Sequence, residues 1–306
     1  MGLFMCLCLL VIILLQAEVN CSSSFSSNSS STQLCPHEQR LALLQLKDSF
    51  SPNSYASDSQ CDKSNPKMLS WEEGTDCCSW DGVTCDRVTG HVIGLDLSCS
   101  WLQGTILSNS TLFLLPHLQR LNLAFNDFNG SEISSEYGQF TSLTHLNLSS
   151  SVFSGDIPSE ISHLSKLVSL DLSFNMDSST GSYLLSLTGS NLESLVQNLT
   201  ELIELDLSGV DMSLTKVGSL ANLNSSLVAL SLQDCGLQGE FPNKASLRSF
   251  WILTWRRQST FGVYSHRKLA GVAAASKDDY FAAVISNIVL DRGELNGGSS
   301  LTLVFG

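Results

Sequence analysis

Pairs of leucines separated by one residue recur along the middle of this 306-residue chain and constrain its fold more than any other feature. Successive pairs begin 26, 25, 24, 35 and 25 residues apart. The wider frame is L-x-x-L-x-x-L-x-L-x-x-N-x-L-x-G-x-I-P, and self-similarity at this period indicates a repeat architecture. The pairs are Leu95–Leu97, Leu121–Leu123, Leu146–Leu148, Leu170–Leu172, Leu205–Leu207 and Leu230–Leu232.

The two leucines of each pair point to one face of a short strand, because successive side chains alternate across a strand. One such strand cannot bury its apolar face alone, whereas stacked coils with one parallel strand each share a continuous core. We therefore predict an α/β horseshoe, a solenoid with short parallel strands and an irregular or 3-10 convex side. Asn126 and Asn175 stand at a coil corner where they can bind backbone of the neighbouring turn. Ser100, Ser151, Val210 and Cys235 replace this asparagine in other copies.

The rest of the chain divides by composition. The apolar run Leu3–Leu15 is too short to span a hydrocarbon core of about 30 Å and predicts a signal peptide over residues 1–21, cleaved between Ala17 and Ser24. A Ser-rich spacer over 22–34, a cap over 35–90, about six repeats over 91–243 with an insertion near 176–190, and a non-repeat tail over 244–306 complete the organisation.

The cap contains phrases more specific than leucine content. Pro36 to Phe50 predicts a helix with Leu41, Leu44 and Phe50 near one face. Three segments are specific in this sense, two in the cap and one in the repeats: Cys35-Pro-His-Glu-Gln-Arg-Leu-Ala-Leu-Leu-Gln, Cys77-Cys78-Ser-Trp-Asp-Gly-Val-Thr-Cys85 and Ile157-Pro-Ser-Glu-Ile-Ser-His-Leu-Ser-Lys166. On these segments, residues 35–243 resemble plant receptor-like proteins with extracellular leucine-rich repeats, the class that includes tomato leaf-mould resistance receptors.

The resemblance implies cap disulfides Cys35–Cys77 and Cys78–Cys85. Cys61 and Cys99 remain, and a third bridge between them is a further hypothesis. Cys235 is interpreted as a small buried hydrophobic residue at a repeat corner. The chain has ten cysteines, and most of those beyond the signal peptide lie between Cys21 and Cys99, which favours an oxidising compartment.

Charge and motifs exclude several functions. The chain has 16 basic and 29 acidic side chains, which argues against nucleic acid as a partner. No catalytic or metal-binding motif is found, so no enzymatic activity, metal or small-molecule cofactor is predicted. Asp96, Asp171 and Asp206 recur on the strands, and we interpret them as a solvated acidic face in preference to acid/base or metal-binding groups.

The outward, concave face of the strands is the predicted binding surface for an extracellular protein or peptide. Phe125 and Phe174 are the predicted apolar anchors, with packing against the next coil as an equal alternative. Ala124, Ser149, Ser173 and Ser208 are also predicted to face outward. The candidate ligand-binding residues are Asp96, Arg120, Asn122, Phe125, His145, Asp171, Phe174, Glu204, Asp206 and Gln233.

Asn-x-Ser/Thr sequons predict a glycoprotein. A glycan on one of them, Asn147, would block part of the concave face. The candidate glycosylation sites are Asn28, Asn109, Asn129, Asn147, Asn198 and Asn224.

The tail over 244–306 departs from the repeat pattern, since it holds 8 basic and 4 acidic residues against 8 and 25 in residues 1–243. We interpret it as an aberrant gene end, so that the chain lacks its membrane anchor and would be extracellular; the alternative is a divergent cap in which Trp251, Trp255 and Phe261 cover the open end. The predicted function is a non-enzymatic ligand-recognition ectodomain in defence or developmental signalling. The resemblance implies a co-receptor kinase and a plasma-membrane location for the family. The alternative is a secreted inhibitor of pathogen cell-wall hydrolases.

Overall fold

The computed structural model describes residues 35–57, 61, 64–177, 179–216 and 226–237, and the backbone of two further strands within 252–256 and 300–304. The helices are α1 (His37–Asp48) and α2 (Gly189–Asn198). The strands are β1 (Phe50–Pro52), β2 (Val83–Cys85), β3 (Val92–Asp96), β4 (Leu102–Gly104), β5 (Arg120–Asn122), β6 (His145–Asn147), β7 (Gly155–Asp156), β8 (Ser169–Asp171), β9 (Leu185–Ser186), β10 (Glu204–Asp206), β11 (Ala229–Gln233), β12 (Ile252–Arg256) and β13 (Ser300–Val304).

The largest sheet of the described residues has the order β13-β12-β11-β10-β8-β6-β5-β3-β2. Within this sheet, the strands from β3 to β12 pair in parallel, and β2 closes the cap end as an antiparallel edge. The first leucine of every repeat pair lies opposite its counterpart in the next strand, from Leu95 to Leu230. The predicted leucine-rich-repeat solenoid is confirmed.

The core is a column of leucines behind this sheet. Both leucines of each of the six pairs are buried. On the opposite side the coils return through 3-10 turns at Thr111–Leu114, Ser135–Gln139 and Ser159–His163. Ser110 and Ser134 cap the first two turns by accepting backbone N–H bonds, which satisfies donors that a helix start leaves open.

The corner asparagines bind the preceding coil as the sequence predicts. The Asn126 amide donates to the carbonyl oxygens of Leu97, at 2.8 Å, and Leu123, and its oxygen accepts from two backbone N–H groups. Asn175 makes the same set of bonds two coils later. Where serine or cysteine replaces asparagine, a smaller set of bonds remains. The Ser151 hydroxyl donates to the Leu123 and Ser149 carbonyls and accepts from the Asn126 N–H, and the Cys235 thiol donates to the Leu207 and Gln233 carbonyls.

The backbone adopts a left-handed conformation three residues after the end of β3, β5, β6, β8 and β10, and immediately after β11. This position is occupied by Cys99, Phe125, Ser150, Phe174 and Asp234, with φ between 50° and 58°, and by Gly209. A left-handed conformation costs a non-glycine residue roughly 1 kcal/mol or more, so the stacked coils must hold it in place.

Helix α1 covers the first coil, and of the three residues predicted near one face Leu44 and Phe50 pack partly against the core. Leu41 is 39% exposed, and the buried residues are Gln39, Ala42, Leu43 and Leu46. Gln39 is tolerated there because its oxygen accepts from the Val92 N–H and its amide nitrogen contacts the His91 ring. A stacked pair, Trp71 and Trp80, with ring centroids 5.4 Å apart, fills the rest of the cap.

Disulfides join Cys35 to Cys77, Cys78 to Cys85 and Cys61 to Cys99. The first two pairs are those that the family resemblance implies. Cys235 is a buried free thiol, and burial raises its pKa to about 12. The third bridge ties the loop around residue 61 to the end of β3, so cap and first repeat form one covalent unit.

The segment near 176–190 is folded onto the repeats. Strand β9 pairs in parallel with β7 on the side of the solenoid, and α2 buries Leu192, Leu195 and Val196. In the tail, the backbone of β12 extends the parallel sheet and β13 pairs with it antiparallel. Residues 1–34 and the remaining tail lie outside the described residues, so the boundaries at 1–21, 22–34 and 244–306 stay predictions. Among the described residues, neither helix has the length and hydrophobicity that crossing a bilayer requires.

Candidate recognition surface

The in-register strands arrange the outward side chains of the concave face in rows that cross the sheet. We define the concave face by the outward residues of β3, β5, β6, β8, β10 and β11. The first row is Gly94, Arg120, His145, Ser169, Glu204 and Ala229, and the second row is Asp96, Asn122, Asn147, Asp171, Asp206 and Ser231. Neighbouring members of a row are about 5 Å apart, the spacing of strands in a sheet.

The second row also has a local structural role. The side-chain oxygen of each Asp or Asn accepts the N–H two residues later, at 3.0 Å for Asp96, 2.9 Å for Asn147, 3.0 Å for Asp171 and 2.9 Å for Asp206. Such a bond closes the strand end against the left-handed turn. This bond gives Asp and Asn a local structural reason to recur at this position.

Four residues predicted to face outward do not. Ala124, Ser149, Ser173 and Ser208 are buried, with exposed fractions from 0% to 4%. They follow the second row, where the chain already bends inward toward the corner residue. The prediction failed because strict alternation was continued beyond the end of strands that are only three residues long.

The acidic residues of the second row lie in different electrostatic environments. Lys67 of the cap donates to the Asp96 carboxylate at 3.2 Å and to the Asp96 carbonyl at 3.1 Å. Hydrogen bonds from Ser98 and the charge of Lys67 together lower the pKa of Asp96. Sequence reasoning missed this pair, because nothing in the cap's spacing places Lys67 over β3.

Asp171 and Asp206 lie opposite each other on adjacent strands. Burial raises the pKa of both carboxyl groups, and for Asp206 burial and then the charge of Asp171 raise the pKa to about 6. Two carboxylates at this separation cannot both ionise without mutual repulsion. The pair is the most strongly perturbed electrostatic feature of the concave face in the described part of the chain.

The other end of the face is cationic. Arg120 is exposed on β5, and His145 lies beside it on β6 with its ring nitrogen 2.9 Å from the Thr144 hydroxyl. Burial and the neighbouring Arg120 charge lower the pKa of His145. The Arg120 charge therefore disfavours protonation of the imidazole, and Arg120 is the permanent cation of this part of the face.

Both predicted aromatic anchors sit at the left-handed position that follows a strand. Phe174 is 38% exposed and Phe125 is half-buried. Beside Phe174, in the next coil, the equivalent position is Gly209, and the ring of Tyr183 lies against it so closely that a side chain there would overlap. Gln233 is half-buried on β11. The aromatic edge formed by Phe174 and Tyr183 was not predictable, because Tyr183 belongs to the insertion.

The described sequons differ in exposure. Asn109, Asn129 and Asn198 are exposed, whereas Asn147 is half-buried on β6 and accepts from the Ser149 hydroxyl of its own sequon. Asn28 and Asn224 lie outside the described residues. The sulfur atoms of Cys35, Cys77 and Cys78 approach one another, but all three are oxidised in disulfides and offer no thiolate to a metal.

Comparison with known proteins agrees with this architecture. The family model described as leucine rich repeat N-terminal domain matches residues 36–86, and that described as Leucine Rich Repeat matches residues 142–164. Receptor-like protein 9DC1 of Solanum pimpinellifolium is 48% identical over 224 residues, which cover 71% of this chain and 25% of that protein. Receptor-like protein 6 of Arabidopsis thaliana is 43% identical over 222 residues, which cover 70% of this chain and 22% of that protein.

Among solved structures, the BIR2 ectodomain from Arabidopsis thaliana matches 70% of this chain and 99% of its own, with a TM-score of 0.47 and 22% identity. The chain spans about a quarter of the length of the curated relatives it matches. The resemblance to the N-terminal part of plant leucine-rich-repeat receptor-like proteins, predicted from the cap and repeat segments, is confirmed.

Proposed function

We propose that this chain, a homologue of the N-terminal part of plant receptor-like proteins, is a ligand-recognition ectodomain acting outside the cell in defence or developmental signalling. The proposed function is non-enzymatic. Its ligand is an extracellular protein or peptide, and its signal passes through a co-receptor kinase, as the family resemblance implies.

One observation carries the proposal: the concave face is a rigid wall whose outward side chains have no part in the core. Its strands are fixed in register by backbone bonds and by the corner asparagines beneath them. A preformed surface loses little conformational entropy on binding, which favours recognition of a protein or peptide. Charged and aromatic groups on this wall supply the contacts that give specificity.

A binding experiment on matched variants tests the proposal. The secreted full-length chain is immobilised, and association of proteins from leaf intercellular fluid is followed by interferometry. The concave variant replaces Arg120, Phe174 and Glu204 by alanine. The control replaces Lys166, His163 and Glu201 by alanine, three exposed residues outside the strands with one cation, one ring and one anion.

We expect saturable binding that the concave variant loses and the control keeps. Equal binding by both variants, or no saturable binding from healthy or infected leaves, would contradict a receptor role of this face. Inhibition of a microbial pectin-cleaving enzyme by micromolar chain, measured in parallel, would favour the alternative hydrolase-inhibitor function.

A further inference from the structure

The concave face is electrostatically divided along its length. Arg120 is the permanently charged residue of β5 and β6, whereas β8 and β10 present Asp171, Glu204 and Asp206. Beyond the Lys67–Asp96 pair on β3, a ligand laid across the strands therefore meets one positive group and then three acidic groups.

Among the described residues, the acidic part of the face has no cation of its own. Across the described ranges, the ion pair within 4 Å is Lys67 with Asp96, and no lysine or arginine reaches Asp171 or Asp206. Each of these two carboxylates accepts hydrogen bonds from the serine two residues later. Those bonds hold the side chains in place without neutralising the charge between the two strands.

The molecule itself shows which group fits the second row. At Asp96, the ammonium group of Lys67 enters from outside the strand and contacts both the carboxylate and the carbonyl of the same residue. Asp171 on β8 and Asp206 on β10 occupy the position in the second row that Asp96 occupies on β3. A basic side chain from a partner would meet two such carboxylates in place of one.

An aromatic edge stands beside the carboxylates. Phe174 follows β8 by three residues and is partly exposed, and Tyr183 covers Gly209 at the equivalent point after β10. The stem of a lysine or arginine is apolar and packs on aromatic surface while its head group remains polar. Charge and shape thus favour the same type of side chain.

We propose that the concave face binds an extended segment of a partner protein through a lysine or arginine that lies between Asp171 and Asp206, with its stem against Phe174. The inference rests on the proposed function and specifies its ligand. Arg120 lies about 12 Å across the strands and two residues along them from the midpoint of the two carboxylates, about 14 Å in all, because strands are about 4.8 Å apart and rise about 3.3 Å per residue. An extended segment covers this distance in about four residues, so the partner carries an acidic residue three or four positions from the basic one.

A peptide array tests both parts. Fifteen-residue glycine–serine peptides carry one arginine and one glutamate at separations from one to eight, each with a second version in which citrulline replaces arginine. The labelled, secreted chain is the probe. We expect the arginine peptides to bind at least fivefold better than the citrulline peptides, with a maximum at separations of three and four.

The variants make the result specific to the two carboxylates. Asp171→Ser combined with Asp206→Ser should remove the arginine preference and still fold, because serine already occupies this row at 231, and unlike asparagine it creates no Asn-x-Ser sequon there. The matched control, Glu38→Gln with Glu73→Gln, removes two exposed carboxylates of the cap and should keep the preference.

An arginine preference that persists in the Asp171/Asp206 variant would overturn the proposal, as would one that disappears in the control. Peptide binding that does not depend on the separation between arginine and glutamate would overturn the proposed spacing of three or four positions. Failure here leaves the fluid-binding experiment on Arg120, Phe174 and Glu204 to decide the receptor function separately.

Discussion

The corners inside the solenoid and the second row of the concave face use the same polar residue types in opposite ways. At the corner, Asn126 makes bonds to residues 24 to 29 positions away, in the preceding coil. On the face, Asn122 makes its bond to the N–H of residue 124, within its own turn. One amide joins coils to one another, and the other shapes only its own strand end.

This difference separates stability from recognition. Removing a buried group that bridges two coils leaves several backbone groups without partners, and unsatisfied buried groups are costly. A face residue that bonds only locally can change without opening the core. The corners are therefore expected to control folding, while the concave face remains open to change for binding.

The largest expected effect is at the corner. Asn126→Ala removes the acceptor of the Ser100 and Leu102 N–H groups and the donor to Leu97, which should lower the free energy of unfolding by about 4 kcal/mol. Asn122→Ala, with the same change on the face, should cost about 1 kcal/mol or less. Chemical denaturation of both variants measures the two values, and equal losses would refute the separation of roles.

On the face, Asp206→Asn should raise stability, measured on chain produced without N-glycosylation because this change and Asp96→Asn each create an Asn-x-Ser sequon. The folded pKa of about 6 lies above the ordinary value of 3.8, so the folded chain binds more protons than the unfolded chain between these values. The contribution of Asp206 is therefore lost as pH rises from about 4 to 6. At pH 7 the variant should gain about 2 kcal/mol over the parent, and at pH 3 the gain should vanish.

Asp96→Asn is the control for this sign. Its carboxyl pKa is lowered by Ser98 and Lys67, so the charged form favours folding above the ordinary pKa and the substitution should reduce stability at pH 7. Denaturation midpoints of both variants at pH 3, 5 and 7 show whether the two stability changes have opposite signs. A stability gain for both, or for neither, would show that burial of the Asp171–Asp206 pair has no energetic consequence.

An intermediate effect is expected at the serine corner. The Ser151 hydroxyl donates to the Leu123 carbonyl and accepts from the Asn126 N–H, a smaller set of bonds than an asparagine makes. Ser151→Ala should therefore cost about 1–2 kcal/mol, between the two asparagine substitutions. Thermal and chemical unfolding should give the same order, and a loss as large as that of Asn126→Ala would mean that corner residues are equivalent.

Much of this contrast was predictable from sequence, because leucine spacing fixes the strands and the corner position follows from the same frame. Within α1 the sequence did not predict that Gln39 is buried while Leu41 is exposed, and Gln39 is buried because Val92 and His91 satisfy its amide. That compensation comes from residues more than 50 positions away. The Lys67–Asp96 pair and the Tyr183 contact with Gly209 have the same origin, since both depend on how distant loops are placed.

Left-handed backbone at aromatic residues is equally hidden in the sequence, and it gives the smallest expected effect. Phe174 has φ 53° and is only partly buried. Phe174→Ala and Phe174→Gly remove the same ring, but alanine keeps the left-handed penalty that glycine avoids. The glycine variant should therefore be more stable than the alanine variant by roughly 0.5–1 kcal/mol.

Because both Phe174 variants lack the ring, the preference for arginine peptides should fall equally in both. Denaturation midpoints and the peptide array measure the two quantities on the same preparations. Should affinity follow stability instead, the ring would act by holding the turn and not by contacting the ligand.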